Sequence, residues 1–489
     1  MNIEELQGFA KKSGFFWPSA EIYGGVSGMF DYGHLGTLMK KKFEAVWLNF
    51  FVERNQNYYL IEGSNILPEK VLIASGHAER FNDIIVGCSN CNTYHRADIL
   101  LDELGIFVSE GATAEEMDKA IRDNNVKCPK CKGELGKSRA FNMMLEVMLG
   151  PEKKEKGYLR PETAQSVYLN FFREFNILRK KLPLGLAIIG KAYRNEISPR
   201  QGLYRMRELT QAELQIFFDP ENFEIGENTE ILNRMLNVVL YKEKKQKRIS
   251  GSELIKEGFP KFYVYHMCLI DYFYKKILLV PDEKMRFLEK GGNEKAFYNK
   301  VHMDLEINVE SWKGFKEVGG LHYRGDYDLT SHSKGSMQDL SVGTDKKFIP
   351  NVLELSFGVD RNIWMLLDLF SVNEEGRSLL KVRNFIAPFN IAIFPLQKDE
   401  ALINLAKQVY SSLKSKFNVY FDESGSIGRR YARMDEIGTP FCITVDFDSI
   451  DAKSENYMTV TIRRRDTRSQ ERVQISKLPD ILSGEFESD

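Results

Sequence analysis

At 489 residues, with 43% hydrophobic and 28% charged content, the chain has a globular composition, too long for one compact domain and long enough for two or three cores. A formal net charge of −1 excludes whole-molecule attraction to a polyanion, so a nucleic-acid partner has to be met by local patches. Six cysteines in this length exclude a disulfide scaffold, and with no apolar run of about 18 residues and no apolar signal core in MNIEELQGFAKKSG, a cytoplasmic protein with no membrane contact is expected.

In chain order, the Gly-rich IYGGVSGMFDYGHLG leads into a helical pattern over 37–54, whose stripe of Leu38, Phe43, Val46, Trp47, Phe50 and Phe51 is either core or an oligomer contact. A strand-like YYLIEGSNILP follows and ends at Pro68. Residues 84–140 form an insert bracketed by cysteine pairs, and a helix is expected near RPETAQSVYLNFF. YRNEISPRQGLYRMRELTQAEL then predicts two strand-like runs around a loop holding Pro199 and Gly202. Alternation puts Arg194 and Glu196 on one face, with Arg205, Arg207, Gln211 and Glu213, while Met206, Ala212, Leu214 and Ile216 face a core. Residues 219–312, charged and with a lysine run at 242–247, are expected to be a second, helical insert. Strands resume at FKEVGGLHYRGDYDL and NVLELSFG, and the helix VDRNIWMLLDLF comes straight after. From about Arg383, strand and helix patterns alternate, which predicts a small α/β domain with a mixed or parallel sheet.

Three groups of residues carry chemistry. Cys88 and Cys91, with Cys128 and Cys131, make two C-x-x-C knuckles able to give a structural zinc four thiolates; otherwise they are four reduced, buried cysteines. His95 is a minor ligand candidate, since the thiolates already complete the shell, and Cys268 and Cys442 read as packing residues. The hairpin arginines suit phosphate oxygens, whereas Glu196 must accept from an amine; internal salt bridging is the alternative. In LELSFGVDRNIW, Glu354 and Ser356 share a strand face, Gly358 ends the strand, and Arg361 sits in the first helical turn, where a polyphosphate could bind. The arginine-rich GRRYARMDE and IRRRDTRSQER could bind RNA phosphate or be solvated faces.

These motifs are similar to those of a known family. The hairpin resembles the second signature motif of class II aminoacyl-tRNA synthetases, LSFGVDR the third, and the long helix, strand and Pro68 the first, which in that class builds the dimer interface. IYGGVSGMFDYG, YLRPETAQ, RNEISPR, DYDLTSHS, ELSFGVDR and ESGSIGRRYARMDEIGTPFCITVDFD together resemble the homodimeric glycyl-tRNA synthetases, from about residue 8 to 480. The fold so implied is α/β: an α+β catalytic domain (1–383) with an antiparallel sheet flanked by helices, carrying the zinc-binding insert (84–140) and the helical insert (219–312), then a mixed α/β anticodon-binding domain (384–489). The resemblance implies ATP, glycine and tRNA(Gly) as partners of a homodimer, and Mg2+ with ATP plus a structural Zn2+ as cofactors.

By the same resemblance Arg194 holds the α-phosphate, Arg205 and Arg361 grip the β and γ groups of a bent ATP, and Glu196 accepts the adenine amino group. Asn195, Tyr204, Leu209, Val318 and Gly358 complete the ATP site, with Glu317 as magnesium ligand. Glu162 and Glu213 bind the glycine ammonium, Arg324 its carboxylate, and Glu354 with Ser356 crowd the α-hydrogens; Arg96, Leu209 and Gln211 lie nearby. One departure stands out, because the family places a phenylalanine that stacks on adenine where this chain has Leu209. A non-catalytic paralogue of this fold would have lost the motif arginines; Arg194, Arg205 and Arg361 are all present.

Overall fold

In the computed structural model, every residue is described except 110, 153–154, 198, 200, 224–228, 292–298, 344–345 and 487–489. Positions 198 and 200 of RNEISPR, and parts of 219–312, therefore lie outside the described residues. Only strands of the two principal sheets are numbered below. The large sheet has nine: β1 (Tyr58–Leu60), β2 (Leu184–Tyr193), β3 (Glu208–Phe218), β4 (Met235–Val239), β5 (Gln246–Ser250), β6 (Met285–Glu289), β7 (Val301–Val309), β8 (Gly314–Gly325) and β9 (Asn351–Gly358). Their order is β5-β4-β6-β7-β8-β9-β3-β2-β1, with β1–β2 and β4–β6 parallel and the remaining pairs antiparallel.

Residues 219–312 correct the expected helical insert, since they carry four strands of this sheet, β4 to β7, beside helices Gly251–Lys256 and Lys261–Tyr272. The lysine run hides a hairpin whose inward residues, Leu236, Val238 and Ile249, are buried in the main core. The hairpin β2–β3 is shorter than the charged motif. Arg194 and Glu196 follow β2, and Arg205 and Arg207 precede β3, so only Gln211 and Glu213 take their facing from the strand. The back face is as expected: Ala212, Leu214 and Ile216 are buried, with Met206 beside them.

Helix α1 (His34–Leu48) buries Phe43, Val46 and Trp47 in that core, which resolves its apolar stripe as packing. Helix α2 (Ala164–Ile177) covers the other end of the sheet, and α3 (Val359–Phe370) runs straight out of β9. Gly202, at φ +57°, lets the loop before β3 lie flat on Trp364 of α3, because a Cβ there would come within 2.2 Å of the indole. Asp360 pins the start of α3 to two other elements, accepting from the Thr210 backbone N–H at 2.5 Å and from the Tyr32 hydroxyl at 2.6 Å.

The insert has its own small core of Val86, Leu100, Leu101, Met117 and Ile121. The 92–127 loop between the knuckles is folded, with helices Ala97–Asp102 and Ala114–Asp123, the second begun by a Thr113/Glu116 capping box. A second sheet, β10 (Ile391–Pro395), β11 (Val419–Phe421), β12 (Phe441–Val445), β13 (Thr459–Arg464) and β14 (Gln470–Gln474), has the order β11-β10-β12-β13-β14 and is mixed, as its sequence pattern predicts. Val382, Phe385, Ile386 and Ala387 still pack in the large core, so the second core begins at Ile391, a few residues beyond Arg383.

Three arginines of the runs in this C-terminal part, Arg430, Arg463 and Arg465, are buried and therefore not on solvated faces. Arg463 and Arg465 are 3% and 2% exposed. Arg463 makes a two-bond fork with Asp435 at 2.8 and 2.9 Å, and Arg377 of the large unit donates to the same carboxylate. Arg465 donates to the carbonyls of Gly438 and Val382. Arg430, in helix Ile427–Glu436, donates to the carbonyls of Pro395 and Leu396. Arg464, on the opposite face from its neighbours as alternation predicts, pairs with Glu485 at 2.7 Å.

Candidate active site

The polar face of the large sheet is the floor of a cleft lined mainly by charged and polar side chains. Leu209, Gln211 and Glu213 of β3 alternate onto this floor, and Gln211 and Glu213 stand in register with Gly358 and Ser356 of β9. Next along are Glu354 of β9, opposite His322 of β8, and Ser356, opposite Gly320. A bulge in β8 between its partners Leu305 and Glu306 leaves Val318 as the extra residue. It re-aims the chain so that Glu317 joins the floor while the Val318 side chain enters the core.

One end of the cleft is cationic. Arg194 is braced by its Nε–H to the Pro161 carbonyl at 3.1 Å, with its guanidinium over the Phe81 ring. Arg361 donates through Nε to the Tyr204 carbonyl, stacks on the Tyr204 ring at 4.5 Å, and reaches the Glu317 carboxylate at 3.1 Å. Glu196 is 8% exposed. Its Oε2, Nη1 of Arg205 and Oε1 of Gln211 are buried with no hydrogen-bond partner among the described residues, as expected of groups shaped for a ligand. Arg207 leaves the floor and donates to the Glu196 backbone carbonyl.

The other end is anionic. Glu162 accepts from Gln165 at 2.8 Å and lies 3.4 Å from His77 Nε2. Burial alone would raise its pKa, but His77 and Arg324 outweigh that and hold it well below the carboxylate range. Glu213 accepts from Thr163 and Ser356 at 2.5 and 2.8 Å, yet burial and the nearby Glu162 raise its pKa. Burial, against Arg324 and with help from Glu213 and Glu162, pushes Glu354 up to about 8. Carboxyls with pKa values driven apart in one cleft mark a functional site.

Thirteen of the expected residues line this cleft: Glu162, Arg194, Glu196, Tyr204, Arg205, Leu209, Gln211, Glu213, Glu317, Glu354, Ser356, Gly358 and Arg361. Four others sit elsewhere. Arg324 is 1% exposed, at a second bulge of β8, and is engaged by Asp328 at 2.8 and 3.0 Å and by Glu354 at 2.8 Å, with Glu162 at 3.7 Å. Arg96 lines a smaller neighbouring cavity and is held by Asp83 and Asp98, with Glu196 at 3.9 Å. Asn195 gives its backbone N–H to Met143, and Val318 is core. His77, Thr163, Gln165 and His322 went unmarked; Thr163 and Gln165 are neighbours of Glu162 in RPETAQ, while nothing near His77 in the sequence signals its role.

In the insert, Cys88, Cys91, Cys128 and Cys131 bring their sulfurs within 4.8 Å of one another, with Sγ–Sγ distances of 3.5 and 3.7 Å for two pairs. Tetrahedral Zn–S bonds of about 2.3 Å require sulfurs about 3.8 Å apart, so the donor set fits zinc. Asn90 donates to the sulfurs of Cys88 and Cys131. His95 Nε2 lies 3.4 Å from Cys128 Sγ, a hydrogen-bond partner of the thiolates more than a fifth ligand.

Comparison with known proteins points one way. A profile described as tRNA synthetase class II core domain (G, H, P, S and T) matches residues 146–370, and one described as anticodon binding domain matches 390–485. The chain is 39% identical to the glycine–tRNA ligase of Pyrococcus horikoshii, over 98% of each chain. It is 36% identical to that of Aeropyrum pernix, over 98% of this chain and 96% of the other, and 34% identical to that of Methanocaldococcus jannaschii, over 98% of each. Among solved structures, the RNA binding domain of threonyl-tRNA synthetase from Cryptosporidium parvum superposes with a TM-score of 0.61 at 16% identity, covering 99% of both chains. Prolyl-tRNA synthetase from the same organism, complexed with L-proline and AMP, gives 0.57 at 12% identity over 98% of this chain and 75% of that one. At those identities the likeness is one of fold.

Proposed function

The chain belongs to the class II aminoacyl-tRNA synthetases, among the glycine–tRNA ligases, and from that premise we propose how its own residues carry out the reaction. It attaches glycine to tRNA at the expense of ATP, through glycyl-adenylate. The observation that carries the residue assignments is the polarity of the cleft, cationic at one end and lined by three carboxyls at the other.

Glycine's carboxylate attacks the α-phosphate and pyrophosphate leaves; the terminal ribose hydroxyl of tRNA then takes the glycyl group and AMP leaves. Charge builds on the phosphate, so fixed cations matter more than an acid or base. Arg194 faces the α-phosphate, and Arg205 and Arg361 bind the outer phosphates. Tyr204 buttresses Arg361, Glu196 accepts from adenine, and Arg96 keeps Glu196 in place. Magnesium bound with ATP supplies further positive charge; Glu317 would hold it, and the cation-rich end with a carboxylate beside it suits a metal that keeps most of its ligands from phosphate and water. Ionised Glu162 receives the ammonium with Glu213, while Glu354 and Ser356 wall the α-carbon. Arg324, bonded to Glu354 at 2.8 Å and 3.7 Å from Glu162, faces the glycine carboxylate. A small rigid pocket of this kind selects glycine by excluding everything larger.

The two-domain division at residues 383/384, with the 84–140 insert, is supported by the separate apolar cores. A homodimer is supported by edge strand β1 and the exposed Tyr59, Leu60, Ile66, Leu169, Phe172 and Ile177 around it. Among the described residues no helix is long and apolar enough to cross a membrane. The composition and the synthetase assignment support a cytoplasmic location. One zinc per chain on the four thiolates is supported by the sulfur geometry. Protein purified without added metal should contain about one zinc, and Cys88→Ser should lose most of it; unchanged zinc in the variant refutes the site.

Leu209 lies on the floor beside the adenylate cations, so Leu209→Phe should add a stacking surface for adenine worth about 0.5–1.5 kcal/mol, or about two- to tenfold in the Michaelis constant for ATP. A raised constant would mean that the cleft is shaped around leucine. The function as a whole is tested by charging: labelled glycine should become acid-precipitable on tRNA only when ATP, tRNA and enzyme are all present, and no charging would overturn it.

A further inference from the structure

We propose that His322 of β8 is the specificity-determining wall at the amino-acid end of the cleft, filling the space that a substrate side chain would need. The proposal rests on the glycine reading above. On β8, Gly320 is a bare position on the same face as His322. It stands in register with Ser356 on one side and Asp304 on the other, and its missing side chain would leave a hole next to the carboxyls that take the ammonium. The imidazole of His322, two residues on and in register with Glu354, closes that hole. A Cβ built on Gly320 would meet its Nε2 at 2.6 Å, which places the ring directly over the glycine.

The ring is fixed from three sides. Asn299 Nδ2 lies 3.0 Å from Nδ1, and since an amide nitrogen can only donate, Nδ1 accepts and the proton resides on Nε2. Nε2 in turn points at Glu354 Oε1, 3.6 Å away. Behind it the His302 ring packs at 4.2 Å, itself held by Asp304 at 2.9 Å. Burial, with His302 and Arg324 adding to it, keeps the imidazole neutral, so it meets the substrate as a shaped polar wall and does not repel the ammonium. A wall so supported cannot swing aside for a methyl group, whereas a flexible side chain could.

The test is amino-acid-dependent pyrophosphate exchange by the full-length enzyme, with glycine and with alanine. In His322→Ala the ratio of kcat/KM for alanine to that for glycine should rise by at least about tenfold, within the range of about 10- to 200-fold that one methylene commands in a fitted pocket. His322→Leu, which restores bulk without the proton, should bring the ratio most of the way back while glycine's KM stays raised. A structural role alone would lower both substrates together. An unchanged ratio in His322→Ala overturns the proposal. If that variant loses exchange with both amino acids, His322→Asn carries the same test with a smaller truncation, and its failure to gain alanine relative to glycine overturns the proposal too. Absence of glycine-dependent exchange in the parent enzyme would instead sink the glycine reading.

Discussion

Arg194→Ala is expected to lower the rate of glycyl-adenylate formation by about 10² to 10³, the cost of removing one positioned charge donor from a developing oxyanion. The side chain is held by a bond to the Pro161 carbonyl and by the Phe81 ring, and among the described residues Arg194 has no ion pair that the change would break open. The loss should therefore fall on catalysis and leave thermal unfolding near that of the parent. Since the charge acts mostly at the transition state, kcat should fall more than affinity for ATP. The check is single-turnover adenylate formation alongside an unfolding curve. A rate within threefold of the parent would remove Arg194 from its place at the α-phosphate.

Asp435→Ala is expected to have the largest effect on stability. The carboxylate is fully buried and receives the Arg463 fork and the Arg377 guanidinium, joining the C-terminal sheet to the strand Arg377–Leu380 of the large unit. Removing it strands a buried guanidinium, a change that costs about 3–5 kcal/mol. Because the adenylation cleft belongs to the other core, tRNA charging should fall much further than glycine-dependent pyrophosphate exchange. Urea unfolding followed by a probe in the C-terminal core, with both assays, measures this. An unchanged midpoint would show that the cluster is dispensable.

Much of the site was legible because its chemistry follows strand and helix boundaries. NVLELSFG and VDRNIWMLLDLF form β9 and α3 over the same residues that the pattern predicts, so Glu354, Ser356 and Arg361 fell where expected. The cysteine knuckles were equally plain, since four thiols at that spacing have few other uses. Alternation failed wherever the backbone departs from it. A bulge in β8 turns Val318 into core, and it is not visible in the letters. Residues 219–312 misled for another reason, because β5 is an edge strand in which Lys247 shares the inward face of Ile249 while Arg248 points away, which masks the alternation. Arg463 and Arg465 read as either RNA contacts or solvated faces because sequence shows charge but not burial or the acid 28 residues from Arg463. His322 escaped notice for the converse reason: a lone histidine in a strand is unremarkable until the glycine beneath it and the asparagine beside it are seen in place.

The central claim is that this cleft activates glycine and nothing larger. It is tested most directly by ATP–pyrophosphate exchange with the purified enzyme, run separately with each of the twenty standard amino acids and without tRNA. Exchange dependent on glycine alone, with alanine and serine lower in kcat/KM by at least about 10²-fold, is the predicted result. Equal or faster exchange with any other amino acid, or none with glycine, would contradict it.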